Sequence, residues 1–272
     1  MTPTFYDTHA HLDYPDFAND FDAVLARAEA AGISKIITIG TDIASSRRAI
    51  ELAEKHARIF AAVGWHPAHV SEAPEPIAAQ LRELALHPKV VAIGETGLDF
   101  YRLPSKTAGG SAEDDERYRQ KQRRIFREQL ELAAELGLNC VIHQRESFDD
   151  ILSELKPFAG SLRAVFHCFV GGADELQRVL DLNALVSFTG IVTFKNAQTV
   201  RESLAAAPPD RYMLETDCPF LAPAPNRGKR CEPAYVRHTA EAAAQARGIT
   251  LEELSRQTCQ TADFFFSRRA IG

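Results

Sequence analysis

Short runs of apolar and β-branched residues alternate with longer amphipathic stretches from one end of the chain to the other. The short runs Phe5–His9, Lys35–Gly40, Ile59–Gly64, Val90–Gly94, Asn139–His143, Arg163–His167, Ala184–Phe188 and Arg211–Thr216 predict strands. Between them, Phe17–Ala31, Ala44–His56, Pro76–His87, Arg117–Leu136, Phe148–Phe158, Ala173–Leu182, Asn196–Ala206 and Pro233–Arg247 predict helices. In Arg117–Leu136, for example, Ile125, Leu132 and Leu136 recur with Phe126 and Leu130 near helical spacing. Eight strands, each followed by a helix, is the count that closes a parallel barrel. The expected fold is therefore a single (β/α)8 TIM barrel over 1–272; an open doubly wound sheet, which usually needs fewer units, is the alternative. Leu251–Arg269 predicts an additional helical tail. Leu103–Glu116, with Gly109-Gly110 and an acidic run, predicts an irregular loop overhanging the C-terminal face after the fourth strand.

Composition narrows this picture only a little. At about 150 residues per domain, 272 residues suggest two domains, but barrels commonly run to about 250 residues as one unit. With 45% hydrophobic and 25% charged residues, the chain can bury a large core, which excludes the disordered and fibrous classes. A formal charge of -6 argues against broad coating of nucleic acid, while leaving room for a local basic patch. Cys140, Cys168, Cys218, Cys231 and Cys259 are scattered without C-x-x-C spacing, which predicts reduced thiols. No segment approaches ~18 uninterrupted apolar residues, and no basic segment leads into an apolar one at the N-terminus. The expectation is a soluble cytoplasmic monomer without a membrane span.

The polar residues at the strand ends carry the chemistry. Asp7-Thr8-His9-Ala10-His11 closes the first strand with imidazoles two positions apart, on one face of the strand and within reach of one ion. Glu95 follows Val90–Gly94, where a carboxylate can give one oxygen to each of two cations. His143, His167 and Asp217 end three later strands. Taken singly, each has a plainer explanation: a loop histidine, a hydrogen-bonded core histidine, a turn carboxylate or a helix cap. Together they do not, because the C-terminal ends of barrel strands converge on one pocket. His9, His11, His66, His143 and His167 sit at such ends, whereas His56, His69, His87 and His238 do not. Imidazole and carboxylate donors suit Zn, Mn, Fe or Co, and carboxylate-rich sites also accept Mg. Cys168 and Cys218 adjoin His167 and Asp217, and strand alternation is expected to turn both thiols away from the pocket.

These residues, in this order, resemble the TatD family of metal-dependent deoxyribonucleases in the amidohydrolase-like barrel superfamily. The matching motifs are D-T-H-A-H-L-D (7–13), G-W-H-P (64–67), G-E-T-G-L-D (94–99), V-I-H-Q-R-E (141–146), H-C-F-V-G (167–171), L-E-T-D-C-P-F-L (214–221) and R-G-K-R-C-E-P (227–233), spanning almost the whole chain. The resemblance implies two divalent ions, Mg2+ or Mn2+ in action with Zn2+ as an option. It implies His9, His11 and Asp217 on one ion, His143 and His167 on the other, and Glu95 shared. It further implies that Asp217 orients or deprotonates the attacking water and that His66 contacts substrate phosphate. The implied activity is hydrolysis of DNA phosphodiesters, as a 3′ to 5′ exonuclease preferring single-stranded ends.

Arg145, Arg227, Lys229 and Arg230 would lie at the rim, where guanidinium and ammonium groups suit phosphate. Trp65 could stack an unpaired base or pack in the core. The basic run Arg117–Arg127 reads as a solvated helix face. Three features depart from the family pattern: Cys231 where an Asn is usual, Gln144 where a small hydroxyl residue is common, and Glu113, Asp114, Asp115 and Glu116 beside a polyanion's path. They bear on substrate preference. Two other functions compete: a metal-dependent amidohydrolase or esterase on a carbonyl substrate, such as an aminoacyl-tRNA or cyclic amide, and a non-catalytic metal-stabilised barrel. The second predicts a lost ligand, and none is lost.

Overall fold

A computed structural model describes residues 3–268. Eight parallel strands run in the order in which they occur in the chain: β1 (Phe5–Ala10), β2 (Ile33–Ile39), β3 (Ile59–Val63), β4 (Val90–Asp99), β5 (Asn139–Arg145), β6 (Ala164–Phe166), β7 (Leu185–Phe188) and β8 (Tyr212–Leu214). A parallel bridge from Ala10 to Cys218 brings the end of β8 back to β1. The result is the expected (β/α)8 barrel.

Around it lie α1 (Phe21–Ala30), α2 (Ile43–Lys55), α3 (Ala78–Ala85), α4 (Pro104–Thr107), α5 (Ala112–Leu136), α6 (Phe148–Leu155), α7 (Ala173–Asp181), α8 (Gln198–Ala206), α9 (Val236–Arg247) and α10 (Leu251–Phe265). Two helices are shorter than their apolar patterns because a proline tightens one end: Pro157 and Pro233 sit in 3-10 turns directly beside α6 and α9.

The apolar core has two layers. Ile37, Ile39, Ala62, Ala92, Val141, Val165, Leu185 and Met213 form an inner cluster, one or two from each of seven strands. A larger cluster lies between the strands and the helices. The expected C-terminal tail is a plug: Ala262 and Phe265 of α10 belong to the inner cluster, and the Phe265 carbonyl accepts from Asn139 Nδ2 at 2.5 Å. Arg269, the last residue of that expected helix, lies outside the described residues.

The predicted loop after β4 is mostly helix. Ser111 and Asp114 form a reciprocal cap, so α5 begins at Ala112 and takes the whole acidic run into its first two turns. There the carboxylates face the positive end of the helix dipole. Two turns further on, the buried amides Gln122 and Gln129 share one helix face. Gln122 clamps the Asp99 backbone through both its N–H and its carbonyl, at 2.9 and 3.0 Å, and Gln129 does the same for Trp65 at 2.8 and 3.1 Å. One long helix thereby fixes the ends of β3 and β4. The basic residues on its outer face are solvated and paired, Arg123 with Asp150, Arg124 with Glu75 and Arg127 with Glu154.

The seam between β1 and β8 is polar and buried. The Asp7 carboxylate accepts from Thr216 N at 2.9 Å and from Thr216 Oγ1 at 2.6 Å. Burial pushes the Asp7 carboxyl up to about 8, against the hydrogen bonds from Thr216 and the His9 N–H.

Register irregularities matter as much as the strands. Ile93 pairs with Cys140 and Thr96 with Ile142, so three steps along β4 match two along β5, leaving one extra residue in β4. The side chain turned toward the pocket in that irregular stretch is Glu95. Just beyond, Gly97 has φ 134°, and a Cβ there would lie 2.1 Å from the His143 carbonyl oxygen. Only glycine adopts this conformation and allows this approach. Gly97→Ala is expected to destabilise the fold by about 2–4 kcal/mol through strain and overpacking. Urea unfolding of the variant measures this, and an unchanged midpoint would contradict the close approach.

Candidate metal centre

Strand alternation explains why the histidines meet. Val141 and Val165 face the barrel interior, so His143 and His167, two residues on, point the same way at its C-terminal mouth. Met213 sets the same parity for Glu215. Asp217, with φ 61°, leaves the strand in the left-handed region, as does Cys168 with φ 49°. Such conformations are uncommon for residues with a Cβ and gather at functional sites.

At the centre is Glu95, whose two oxygens address different partners. Oε2 lies 3.5 Å from His9 Nε2 and 3.7 Å from His11 Nε2. Oε1 lies 2.8 Å from His143 Nδ1, 2.9 Å from His167 Nε2 and 3.3 Å from His66 Nε2. Asp217 Oδ1 completes the first group at 3.7 Å from His9 Nε2 and 3.5 Å from His11 Nε2. Burial pushes the Glu95 carboxyl upward, but the facing His66, His167 and His143 rings hold it well below the usual carboxylate range. For His167 the balance is reversed in sign: burial disfavours its charge, while Glu95 and Glu215 raise it well above an ordinary imidazole.

The hydrogen bonds on the far side of the rings show which nitrogen each one offers. His11 Nδ1 faces the Ile39 carbonyl at 3.2 Å, a contact only an N–H satisfies, which leaves the Nε2 lone pair aimed inward. His143 Nε2 faces Asp99 Oδ2 at 3.3 Å, leaving Nδ1 inward. His9 and His11 thus bring Nε2 atoms to within 3.3 Å of each other beside two carboxylates. Crowded lone pairs and carboxylate oxygens of this kind fit divalent cations, and the far-side acceptors are the partners that orient metal-binding imidazoles.

His66 is different. Its Nδ1 accepts from Ala68 N–H at 3.0 Å, and burial lowers its pKa to about 4. The neutral ring therefore carries its proton on Nε2, as a donor facing the cavity instead of a lone pair.

Three buried carboxylates were not singled out from the sequence. Asp99 backs His143, and Asp7 closes the seam. Glu215 is the most informative. Its oxygens accept from Cys168 N–H at 2.6 Å and Ser187 Oγ at 2.8 Å, and they face His167 Nδ1 at 3.6 Å and His9 Nδ1 at 4.0 Å. Those two ring nitrogens are buried and have no hydrogen-bond partner of their own among the described residues. The rings stack 4.0 Å apart, so one carboxylate underlies a histidine from each group. The available signal was parity, since Glu215 shares a strand face with Met213 and precedes Asp217 by two.

The cavity over this cluster has a volume of about 600 Å³, and it is lined in part by Tyr14, Arg102, Arg145, Val170 and Phe220. Gln144 and Cys168 also line it; the left-handed turn at Cys168 breaks the alternation that was expected to hide its thiol. Cys218 is buried, as expected, and all five cysteines are free. Of the expected rim cations, Arg145 is in place. Arg227 lies over the Phe194 ring at 3.6 Å, and Lys229 is exposed. Arg230 is held by both oxygens of Asp20 at 2.8 Å, which ties the loop to α1. Trp65 is 6% exposed and packs in the core, so it offers no stacking surface. Cys231 is buried as well. No helix among the described residues is long and apolar enough to cross a membrane.

A barrel with imidazoles and carboxylates gathered at its C-terminal mouth defines a metal-dependent hydrolase. The chain belongs to the TatD family: the family described as TatD related DNase matches residues 6–267. It is 38% identical over 262 residues to an uncharacterized metal-dependent hydrolase, YabD, of Bacillus subtilis, covering 96% of this chain and 98% of that one. It is also 38% identical over 268 residues to the 3'-5' ssDNA/RNA exonuclease TatD of Erwinia amylovora, covering 96% and 99%. The crystal structure of YJJV, a TatD homolog from Escherichia coli K12, superposes with a TM-score of 0.86 at 28% identity, covering 96% and 97%.

Removing the shared carboxylate tests the geometry. Glu215→Ala is expected to weaken divalent-metal affinity about 10–100-fold, the usual effect of losing such a partner. Calorimetric titration of metal-stripped protein with Mn2+ reads this directly, and wild-type affinity in the variant would show that Glu215 orients neither ring.

Proposed function

We propose that this chain hydrolyses phosphodiester bonds at single-stranded DNA ends, as a 3′ to 5′ exonuclease, using two divalent ions. The division of the Glu95 oxygens between two histidine groups is the observation that carries this reading. His9, His11 and Asp217 would hold one ion, His143 and His167 the other, with Glu95 between them. Bound there, such ions supply Lewis-acid stabilisation of a phosphoryl group and an activated water.

The remaining steps belong to the chain's own side chains. Asp217, partly open to the cavity and kept below the usual carboxylate range by His11, His167 and His9 despite burial, accepts the proton of the attacking water. His66 presents its Nε2–H to a phosphoryl oxygen as a neutral donor. Arg145 and Arg102 are exposed, line the cavity, and pair with no carboxylate among the described residues, so their guanidinium groups remain available to the phosphates on either side of the scissile bond. The nucleic-acid substrate is also supported by the exonuclease relative at 38% identity.

The test is hydrolysis of 3′- and 5′-labelled single strands by metal-stripped protein, with Mg2+, Mn2+ or Zn2+ restored separately. Shortening from the 3′ end that requires metal is expected, and His9→Ala and Asp217→Asn should abolish it with the fold intact. No cleavage with any metal, despite bound ions, would overturn the phosphodiester reading in favour of a carbonyl substrate.

His66→Ala should slow turnover about 10²-fold, the scale of one lost transition-state donor, and keep its metal content. Metal loss in that variant, measured by elemental analysis, would contradict a substrate-side role.

A further inference from the structure

Five large apolar side chains are notably exposed among the described residues: Leu86, Tyr101, Val170, Phe220 and Phe264. Two of them line one cavity, and a third packs against a residue that lines it. Phe220, 49% exposed, and Val170, 51% exposed, line it directly. Tyr101, 47% exposed, carries the Arg145 guanidinium 3.8 Å from its ring centroid, and Arg145 lines the same cavity. Water-exposed aromatic rings rimming a polar site mark a binding surface more than a packing accident.

The rings are held in place. Phe220 meets Tyr14 edge to face, with centroids 5.9 Å apart at 84°, and Tyr14 stacks on His11 at 5.0 Å and 29°. Strand order then fixes where these pairs stand. Tyr14 follows β1 and Phe220 follows β8, while Tyr101 follows β4 and Arg145 ends β5. In a barrel of eight strands closed between β8 and β1, the β4–β5 edge lies diametrically opposite. The Tyr14–Phe220 ring pair and the Tyr101–Arg145 pair therefore stand at opposite strand edges of the barrel mouth that holds the histidine and carboxylate cluster.

We propose that Tyr14–Phe220 and Tyr101–Arg145 are two stacking platforms for unpaired nucleobases on either side of the scissile phosphate. This rests on the phosphodiester reading above and extends it to how the strand is held. Exposed aromatic faces and a guanidinium stacked on a ring suit nucleobases of any identity. A duplex keeps its base faces stacked on one another, so only an unpaired end offers them to the protein. Trp65 is buried and offers no competing surface.

Binding separates the platforms from the chemistry. In an Asp217→Asn background, the Kd of a short single strand is compared by fluorescence anisotropy with that of the same strand carrying abasic sugars at its last two positions. The abasic strand is expected to bind at least about tenfold more weakly. Phe220→Ala and Tyr101→Ala should each weaken binding of the intact strand about 5- to 150-fold and bring the intact-to-abasic ratio toward one. Phe220→Trp and Tyr101→Phe, which keep a ring, should preserve the ratio. Both native side chains are about half exposed, so these changes leave the core intact. Equal affinity for the two strands, or a full ratio in both alanine variants, would overturn the platforms while leaving strand cleavage by the wild-type protein as evidence for the phosphodiester reading. Absence of both binding and wild-type cleavage would overturn that reading and the platforms with it.

Discussion

One carboxylate sets the terms for this structure. Glu95 is buried at the mouth of the barrel, and an isolated carboxylate there would be strongly disfavoured unless compensated. Five imidazoles from β1, β5 and the segments after β1, β3 and β6 close around it, and its two oxygens address separate groups. Much of the surrounding architecture serves that arrangement. The extra residue in β4 turns Glu95 inward, Gly97 lets β5 come close enough to bring His143 to it, and Gln122 and Gln129 of α5 tie down the ends of two strands. Beneath the rings, Glu215 spans His9 and His167, so the two histidine groups share support from below as well as a carboxylate above.

The barrel was legible in the sequence because its evidence is repetitive: eight apolar runs, eight amphipathic ones, and polar residues recurring at the same end of each strand. The histidines were legible for the same reason, since strand parity carries His143 and His167 inward from Val141 and Val165. What the sequence hid was local geometry that periodicity does not encode. The inward turn of Glu95 depends on a register shift, and the exposure of Cys168 to the cavity depends on a left-handed residue that interrupts alternation. The acidic run resembled a loop because its Ser111–Asp114 cap lay inside a segment rich in glycine and charge. Charge pairing was equally hidden: Arg230 and Arg145 read alike in sequence, yet Asp20 holds one and an aromatic ring supports the other.

These local details connect the site to its proposed substrate. The ligand cluster alone suits attack on phosphorus or on a carbonyl, because the same activated water serves both. The rim carries the discrimination. Among the described residues, Arg102 and Arg145 leave positive charge without carboxylate partners at the cavity, where Phe220 presents an exposed apolar face and Arg145 lies over the Tyr101 ring. Positive charge flanked by aromatic rings matches a chain of phosphates bearing unpaired bases better than it matches a small amide.

The central proposal is that Glu95 would join two divalent ions into one centre. The most direct measurement is the electron paramagnetic resonance spectrum of metal-stripped protein loaded with Mn2+. Two ions about 3.5–4 Å apart across a shared carboxylate should give the broad signal of an exchange-coupled pair. A six-line spectrum of isolated Mn2+ that persists at saturating metal would contradict the account.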